Sequence, residues 1–299
     1  MKLEYIVEID NIAVKDYILY LGLGQNFNKK VKLYGNIFIN DVLSKNYFIL
    51  HIGDKLTLEV FEKANDEIVS SHLPIDIVYC DQYLMVINKP HDISSQPSKK
   101  HYEDNIISRV KGYLESKGID TNIHLVNRLD FQTSGLMVVS LNGTIHHLLT
   151  NNVDRMYLCV CDGKFLENLK VEIKIDRLEN NNILRCVSDN GKSAKTNVCG
   201  LAYDATSDTS LVKCKLYTGR THQIRLTMKH IGHSLVGDKL YNDKYVNKES
   251  NQRLMLHSYY VEFIHPITKE KMVFTSIDDF INQTNFDINT INKEELCQI

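Results

Sequence analysis

An α+β fold is what the sequence predicts: a mixed, largely antiparallel sheet preceded by a small α+β N-terminal domain. Three observations carry this expectation. Strand-like runs outnumber helix-like ones, and most of those runs are joined by short turns. Charge and turn residues break the apolar pattern near residues 61 to 75. The expected boundaries are 1–72 for the small domain, 73–285 for the large one and 286–299 for a C-terminal tail.

Within the small domain, Gly35 opens a turn into a short strand, Ile37 to Asn40, and Gly53-Asp54 turns into the alternating Leu56, Leu58 and Val60. The large domain opens on the strand-like runs DIVYC and YLMVINKP, the second ended by Pro90. Residues 103 to 117 read as an amphipathic helix. Ile106, Val110, Tyr113 and Leu114 fall on one face, and Gly118 is its stop. GLMVVSLN (135–142) is a candidate buried strand. RMYLCVC (155–161) and LVKCKLY (211–217) alternate with period two, and KMVFTS closes the set.

Composition is that of a globular chain, with 43% apolar and 24% charged residues. No run approaches the roughly 18 apolar residues of a membrane span. The start, MKLEYIVEID, carries acids where a signal peptide needs a basic region, so a cytoplasmic location is expected, away from membranes. The seven cysteines form no C-x-x-C pair; Cys159 and Cys161 alternate along a strand and read as core thiols, with neither disulfide nor zinc expected. Five histidines (His222, His230, His233, His257, His265) lack an H-E-x-x-H context, so no metal site is expected.

The net charge of −2 hides a segregation. Between Leu211 and Arg253 nine basic residues face three acidic ones, whereas from Glu262 onward three lysines face seven acids. This fits one cationic face, or equally a solvated face beside an acidic tail. TGRTHQIRLTMKHIGH (218–233) reads as a helix with Ile224, Met228 and Ile231 toward a core; His222, Arg225 and Lys229 fall on another side, suited to phosphate or carboxylate. HLVNRLDFQTSGLMVVSLN (124–142) sets Arg128 and Asp130 two apart in a loop of small hydroxyls before a strand. By itself such an R-x-D pair is more often a structural salt bridge than a catalytic group.

The stretch NRLDFQTSGL at 127–136 resembles the central motif of the RluA-type pseudouridine synthases, and TGRTHQIR followed by HIGHSLVGDKLY resembles their second long motif. INKP (87–90), AKT (194–196) and LHSYYVEFIHPIT (256–268) agree in order, so the resemblance covers about residues 75 to 276. It implies a catalytic domain that isomerises uridine in RNA without a cofactor. Asp130 matches the catalytic aspartate, Arg128 the arginine that enters the RNA stack, Tyr157 the tyrosine that packs on the flipped uracil, and Arg225 the arginine paired with the aspartate. Arg220, His222 and Lys229 are expected to bind RNA beside them. Asn127 stands where the family has histidine, and Arg155 where it has lysine. Residues 13–60 resemble the alpha-L RNA-binding module, with Lys29, Lys30 and Lys32 placed to grip phosphate.

The implied substrate is structured RNA, large-subunit rRNA ahead of tRNA, and the chain is expected to act as a monomer. A catalytically inactive RNA-binding or ribosome-assembly factor is the competing reading, for which Asn127 alone speaks. Arg225→Met is expected to cut product formation severely while the fold survives.

Overall fold

The computed structural model describes residues 2–60, 67–98, 101–179, 181, 183–287 and 296. Residues 61–66 of the expected boundary, Cys297 and most of the 286–299 tail lie outside the described residues.

Residues 2–60 surround a core of their own. In order they form β1 (Lys2–Ile6), β2 (Ile12–Ala13), α1 (Val14–Tyr20), α2 (Gly24–Tyr34), β3 (Gly35–Ile39), β4 (Val42–Ser44), β5 (Ile49–Leu50) and β6 (Lys55–Val60). The sheet runs β1-β6-β3-β4, all antiparallel, and β2 pairs β5 separately. Asn40 and Asp41, at φ of 50° and 63°, make the two-residue turn between β3 and β4. Both residue types tolerate that left-handed conformation, and its twist suits a tight hairpin. Phe27 and Val31 of α2 join Tyr17, Ile18, Leu56 and Leu58 in the core. Tyr83, Leu148 and Ile267 from the larger part pack against it.

The larger part continues through β7 (Ile77–Cys80), β8 (Leu84–Lys89), α3 (Ile106–Ser116), β9 (His124–Leu125), β10 (Ser134–Ser140) and α4 (Gly143–Leu149). Then come β11 (Val153–Asp162), β12 (Asn168–Arg177), β13 (Arg185–Val187), β14 (Lys192–Asp204), β15 (Thr209–Leu216), α5 (Gln223–His230), β16 (Leu256–Ile264), β17 (Lys271–Thr275) and α6 (Asp278–Ile281). Eleven strands form one sheet among the described residues, in the order β13-β12-β14-β15-β11-β16-β10-β8-β7, with β17 on β16 and β9 on β10. The pairing of β10 with β16 is parallel, which makes the sheet mixed.

β10 lies at the centre and every one of its residues is buried. Met137 and Val139 pack on one side against Ile106, Val110 and Leu114 of α3. Leu136 and Val138 pack on the other against Ile145, Leu149 and Phe263. Burial on both faces is why the strand reads as an unbroken apolar run. Asn105 caps α3 by accepting from Ser108 N–H (3.0 Å), which sets the helix start three residues later than the apolar pattern suggests.

Strand β11 carries Tyr157, Cys159 and Cys161 toward the α3 side and Met156, Leu158 and Val160 toward the other. Cys159, Cys161 and Cys214 are buried free thiols. No helix among the described residues is long and apolar enough to cross a membrane.

Candidate active site

The segment before β10 is held from several sides. Asn127 is 3% exposed; its Oδ1 accepts from Val138 N–H (2.7 Å) and its Nδ2 donates to Leu136 O (3.4 Å). Asn127 thereby clasps the edge of β10 where backbone groups lack a strand partner. Ser95 Oγ donates to Leu129 O (2.6 Å) and accepts from Leu129 N–H (3.2 Å). Lys89, 1% exposed, donates to the carbonyls of Pro90 (2.9 Å), Ile93 (2.8 Å) and Phe131 (3.1 Å), so all three ammonium protons are used beneath the loop. Burial pulls the Lys89 ammonium down to about 7, while Asp130 and Asp92 oppose that pull.

Gly135 lies at φ +111°, and a Cβ there would meet Ser258 O at 2.2 Å. Only glycine lets β10 approach β16 so closely. That approach puts Gly135, Ser258 and Tyr157 in one row across three strands. The row brings the Asp130 loop and Tyr157 to one cleft of about 590 Å³.

Replacing Asn127 by Ala should strand the buried Val138 N–H. A loss of about 1–3 kcal/mol in unfolding free energy is expected, measurable by urea denaturation. An unchanged midpoint would deny the clasp.

A second set of bonds fixes the far end of the loop. Arg253 Nη2 donates to Ser134 Oγ (2.6 Å), and Ser134 Oγ lies 2.8 Å from His257 Nδ1. His257 Nε2 lies 2.7 Å from Ser276 O. A carbonyl only accepts, so Nε2 carries the proton, Nδ1 accepts, and Ser134 donates to it. Burial lowers His257 to about 4, with Ser276 O opposing and Arg253 assisting. Since the unfolded chain takes up this proton near the ordinary 6.5, the folded state binds fewer protons between these values. Stability should therefore rise with pH from about 4 to about 6.5. Urea melts across that range should show the rise in the wild type and a flatter profile in His257→Gln.

Asp130 points into the cleft with 26% of its side chain exposed. Arg225 Nη1 lies 3.7 Å and His222 Nε2 3.8 Å from its Oδ2. Arg225 is mainly engaged elsewhere: Nε donates to Asp238 Oδ2 (2.8 Å) and Nη2 to Asp238 Oδ1 (2.5 Å), both residues being buried. Its guanidinium also lies 5.1 Å from the Tyr241 ring centre. Burial would lower Arg225, but Asp238 and then Asp130 outweigh it and raise it.

The Tyr241 hydroxyl accepts from Arg185 N–H (2.9 Å) and lies 2.7 Å from His222 Nδ1. If the Tyr241 hydroxyl donates to Nδ1, the ring proton of His222 sits on Nε2, toward Asp130. Burial lowers His222 and Asp130 opposes the shift.

These positions correct the picture of one cationic helix face. Helix α5 is eight residues long, six of them buried, Arg225 included. Ile224 and Met228 face the main core and Leu226 a second one, so the helix is covered nearly all round. His222 precedes the helix in a left-handed conformation (φ 58°). Gln223 secures this turn: its Oε1 accepts from Thr218 Oγ1 and Arg220 N–H (2.9 Å each), and its Nε2 donates to Lys195 O (3.0 Å) and Thr196 Oγ1 (2.9 Å). Lys229 is exposed, 3.8 Å from Asp243, and does not line the cleft. Because Asp238 is paired with Arg225, removing the arginine would also leave a buried carboxylate unpaired, and Arg225→Met is expected to cost stability, where the sequence alone suggested that the fold survives.

The cations of the cleft come from along the chain. Arg128, Arg155, Arg177, Arg185, Arg220 and Arg225 line it, and Asp130 is its one acidic residue among the described residues. Only two of the six lie in the 211–253 segment. There Lys244 pairs with Asp162 (2.9 Å), while Lys215 lies 4.0 Å from Asp154. The Arg155 Nε is buried with no hydrogen-bond partner among the described residues. Tyr157 is 4% exposed, and burial pushes its hydroxyl up, so it is neutral near pH 7. Lys29, Lys30 and Lys32 are exposed on α2 and lie outside the cleft.

A cleft rich in arginine around one carboxylate, beside the ring of Tyr157, suits an anionic ligand. A profile of the RNA pseudouridylate synthase family matches residues 83–230. The chain is 33% identical to the uncharacterized RNA pseudouridine synthase YjbO of Bacillus subtilis over 88% of this chain and 94% of that protein. It is 29% identical to ribosomal large subunit pseudouridine synthase D of Xylella fastidiosa, over 78% of this chain and 75% of the relative. Among solved structures, human RNA pseudouridylate synthase domain containing 1 superposes with a TM-score of 0.55 at 25% identity, covering 70% of this chain and 85% of that one. The chain belongs to the RluA-type RNA pseudouridine synthases, isomerases that act on RNA.

Lys89, Ser95, Arg177, Arg185, Asp238 and Tyr241 shape the site, yet no sequence pattern assigned them a part in it. Asp238 and Tyr241 lie in GDKLY and Lys89 in INKP, both family-like stretches, so a signal for them was present.

Proposed function

We propose that this protein isomerises specific uridines of large-subunit rRNA of the 23S type, with Asp130 as the essential aspartate. The observation that carries the reading is the cleft lined by six arginines around the Asp130 carboxylate. A relative that bears the name of a ribosomal large-subunit enzyme supports rRNA over tRNA. The protein acts as a monomer in the cytoplasm, with residues 73–285 as the catalytic domain and 1–72 as an RNA-binding module that uses Lys29, Lys30 and Lys32.

The reaction breaks the bond from uracil N1 to ribose C1′, turns the base and rejoins it through C5. The C5 hydrogen leaves as a proton and N1 gains one. The target base must first leave its stack, at a cost of about a few kcal/mol. Arg128, exposed at the cleft, fills the vacated place. Tyr157 restores stacking to the extruded base, a contact worth about 1–3 kcal/mol.

Asp130 then acts on the sugar, either by attack on carbon or by removing a sugar proton to give a glycal. Both routes need an ionised carboxylate with an open face. Asp130 is a quarter exposed, which leaves that face open to the cleft, and Arg225 and His222 flank it without bonding to it. Asn127, the residue that spoke for an inactive binder, is a clasp of the loop and leaves the carboxylate facing the cleft.

Pseudouridine mapping of total RNA from wild-type and deletion cells tests the proposal. A large-subunit uridine modified only in the wild type is expected. An unchanged map would defeat the reading, and a change confined to tRNA would overturn the rRNA assignment.

A further inference from the structure

One side of β12 carries Leu169, Val171, Ile173 and Ile175 at alternate positions. Ile173 and Ile175 pack with Ala194, Leu226 and Tyr241. The next residue in this inward series is not apolar but Arg177, and it is exposed. The β12–β13 register pairs Ile175 with Val187 and Arg177 with Arg185. Like charges directly opposite on one face of a hairpin are destabilising.

The two arginines line the same cleft as Asp130, which contributes its one carboxylate among the described residues. Arg185 is also fastened to the site. Its Nη1 donates to Ile183 O (3.1 Å) and Leu184 O (2.8 Å), and its backbone N–H donates to the Tyr241 hydroxyl that meets His222. The β13 edge is therefore set in place relative to the Asp130 surroundings, and two guanidinium groups share its inner face.

We propose that Arg177 and Arg185 form a clamp for a backbone phosphate of the RNA chain adjoining the target uridine. The inference rests on the RNA reading above and adds a subsite to it. A phosphate between the two planar forks removes their mutual repulsion and accepts from both. The substrate is accordingly a chain that continues past the target nucleotide, and a free nucleoside lacks the phosphate the clamp holds.

Full-length wild type, Arg177→Gln, Arg185→Gln and the double variant are titrated with a fluorescein-labelled oligouridylate long enough to span the cleft, over a salt series. Uridine, which has no phosphate, serves as the ligand without a chain. In the double variant the slope of log affinity against log salt should shrink by about 0.7 for each phosphate no longer neutralised. Uridine affinity should not change, and Tm should stay level or rise because the repulsion is gone.

An unchanged slope in the double variant, beside salt-dependent wild-type binding, overturns the clamp and leaves the RNA reading standing. A steep fall of Tm in the single variants assigns the pair to the fold and also overturns it. Wild-type protein whose RNA binding shows no salt response would sink both.

Discussion

Asp130→Asn is expected to abolish pseudouridine formation while leaving the fold intact. The carboxylate is a quarter exposed, and its neighbours Arg225 and His222 lie at 3.7 and 3.8 Å, beyond hydrogen-bond distance. Little of the fold's stability depends on them, so the change should stay within about 0.5 kcal/mol, as for other exposed positions. The amide keeps the shape of the side chain but is neither nucleophile nor base. Turnover should fall on the order of 10⁴-fold or more, the scale seen when a reacting group is removed. Release of tritium from RNA carrying 5-tritiated uridine measures the loss. Turnover near that of the wild type would take Asp130 out of the reaction.

Arg225→Met should damage both stability and activity, because it breaks a buried pair. Asp238, 1% exposed, accepts from Arg225 Nε and Nη2 and from the backbone N–H groups of Leu240 (2.9 Å) and Tyr241 (3.1 Å). An unpaired buried charge costs about 3–5 kcal/mol, so either Arg225→Met or Asp238→Leu should lower the unfolding free energy by that order. Coupling should appear in the double variant Arg225→Met/Asp238→Leu, which loses both charges and should regain part of the stability. Product formation should stay low in it, since nothing then faces Asp130 from α5. If instead the double variant is as unstable as the sum of the two single variants, the pair is not the link between helix and loop.

The sequence disclosed most of what lies at the sheet centre. β8, β10, β11 and β15 are continuous or alternating apolar runs, and both patterns follow directly from burial on two faces or one. It disclosed less wherever a polar residue is buried. Arg225 reads as a surface cation because periodicity assigns charge to solvent, yet α5 is covered nearly all round and Asp238 compensates it. Lys89 escapes notice for the same reason: nothing local shows that three carbonyls from separate turns converge on its ammonium. The alternation through β12 is visible in the sequence, but the arginine that ends it gains meaning only from the strand opposite. Proximity of Asp130 and Tyr157 follows from a glycine, not from either residue's own surroundings.

The bonds running from Arg253 through Ser134 and His257 to Ser276 have a polarity. A guanidinium at one end can only give protons and a carbonyl at the other can only take them, so each intermediate hydroxyl or imidazole has one permitted orientation. Residues far apart along the chain are thus tied into a single hydrogen-bonded unit with one direction. Threonine at 134 would preserve the sense of travel, whereas a group that cannot both take and give would leave a buried atom unmatched at the foot of the Asp130 loop.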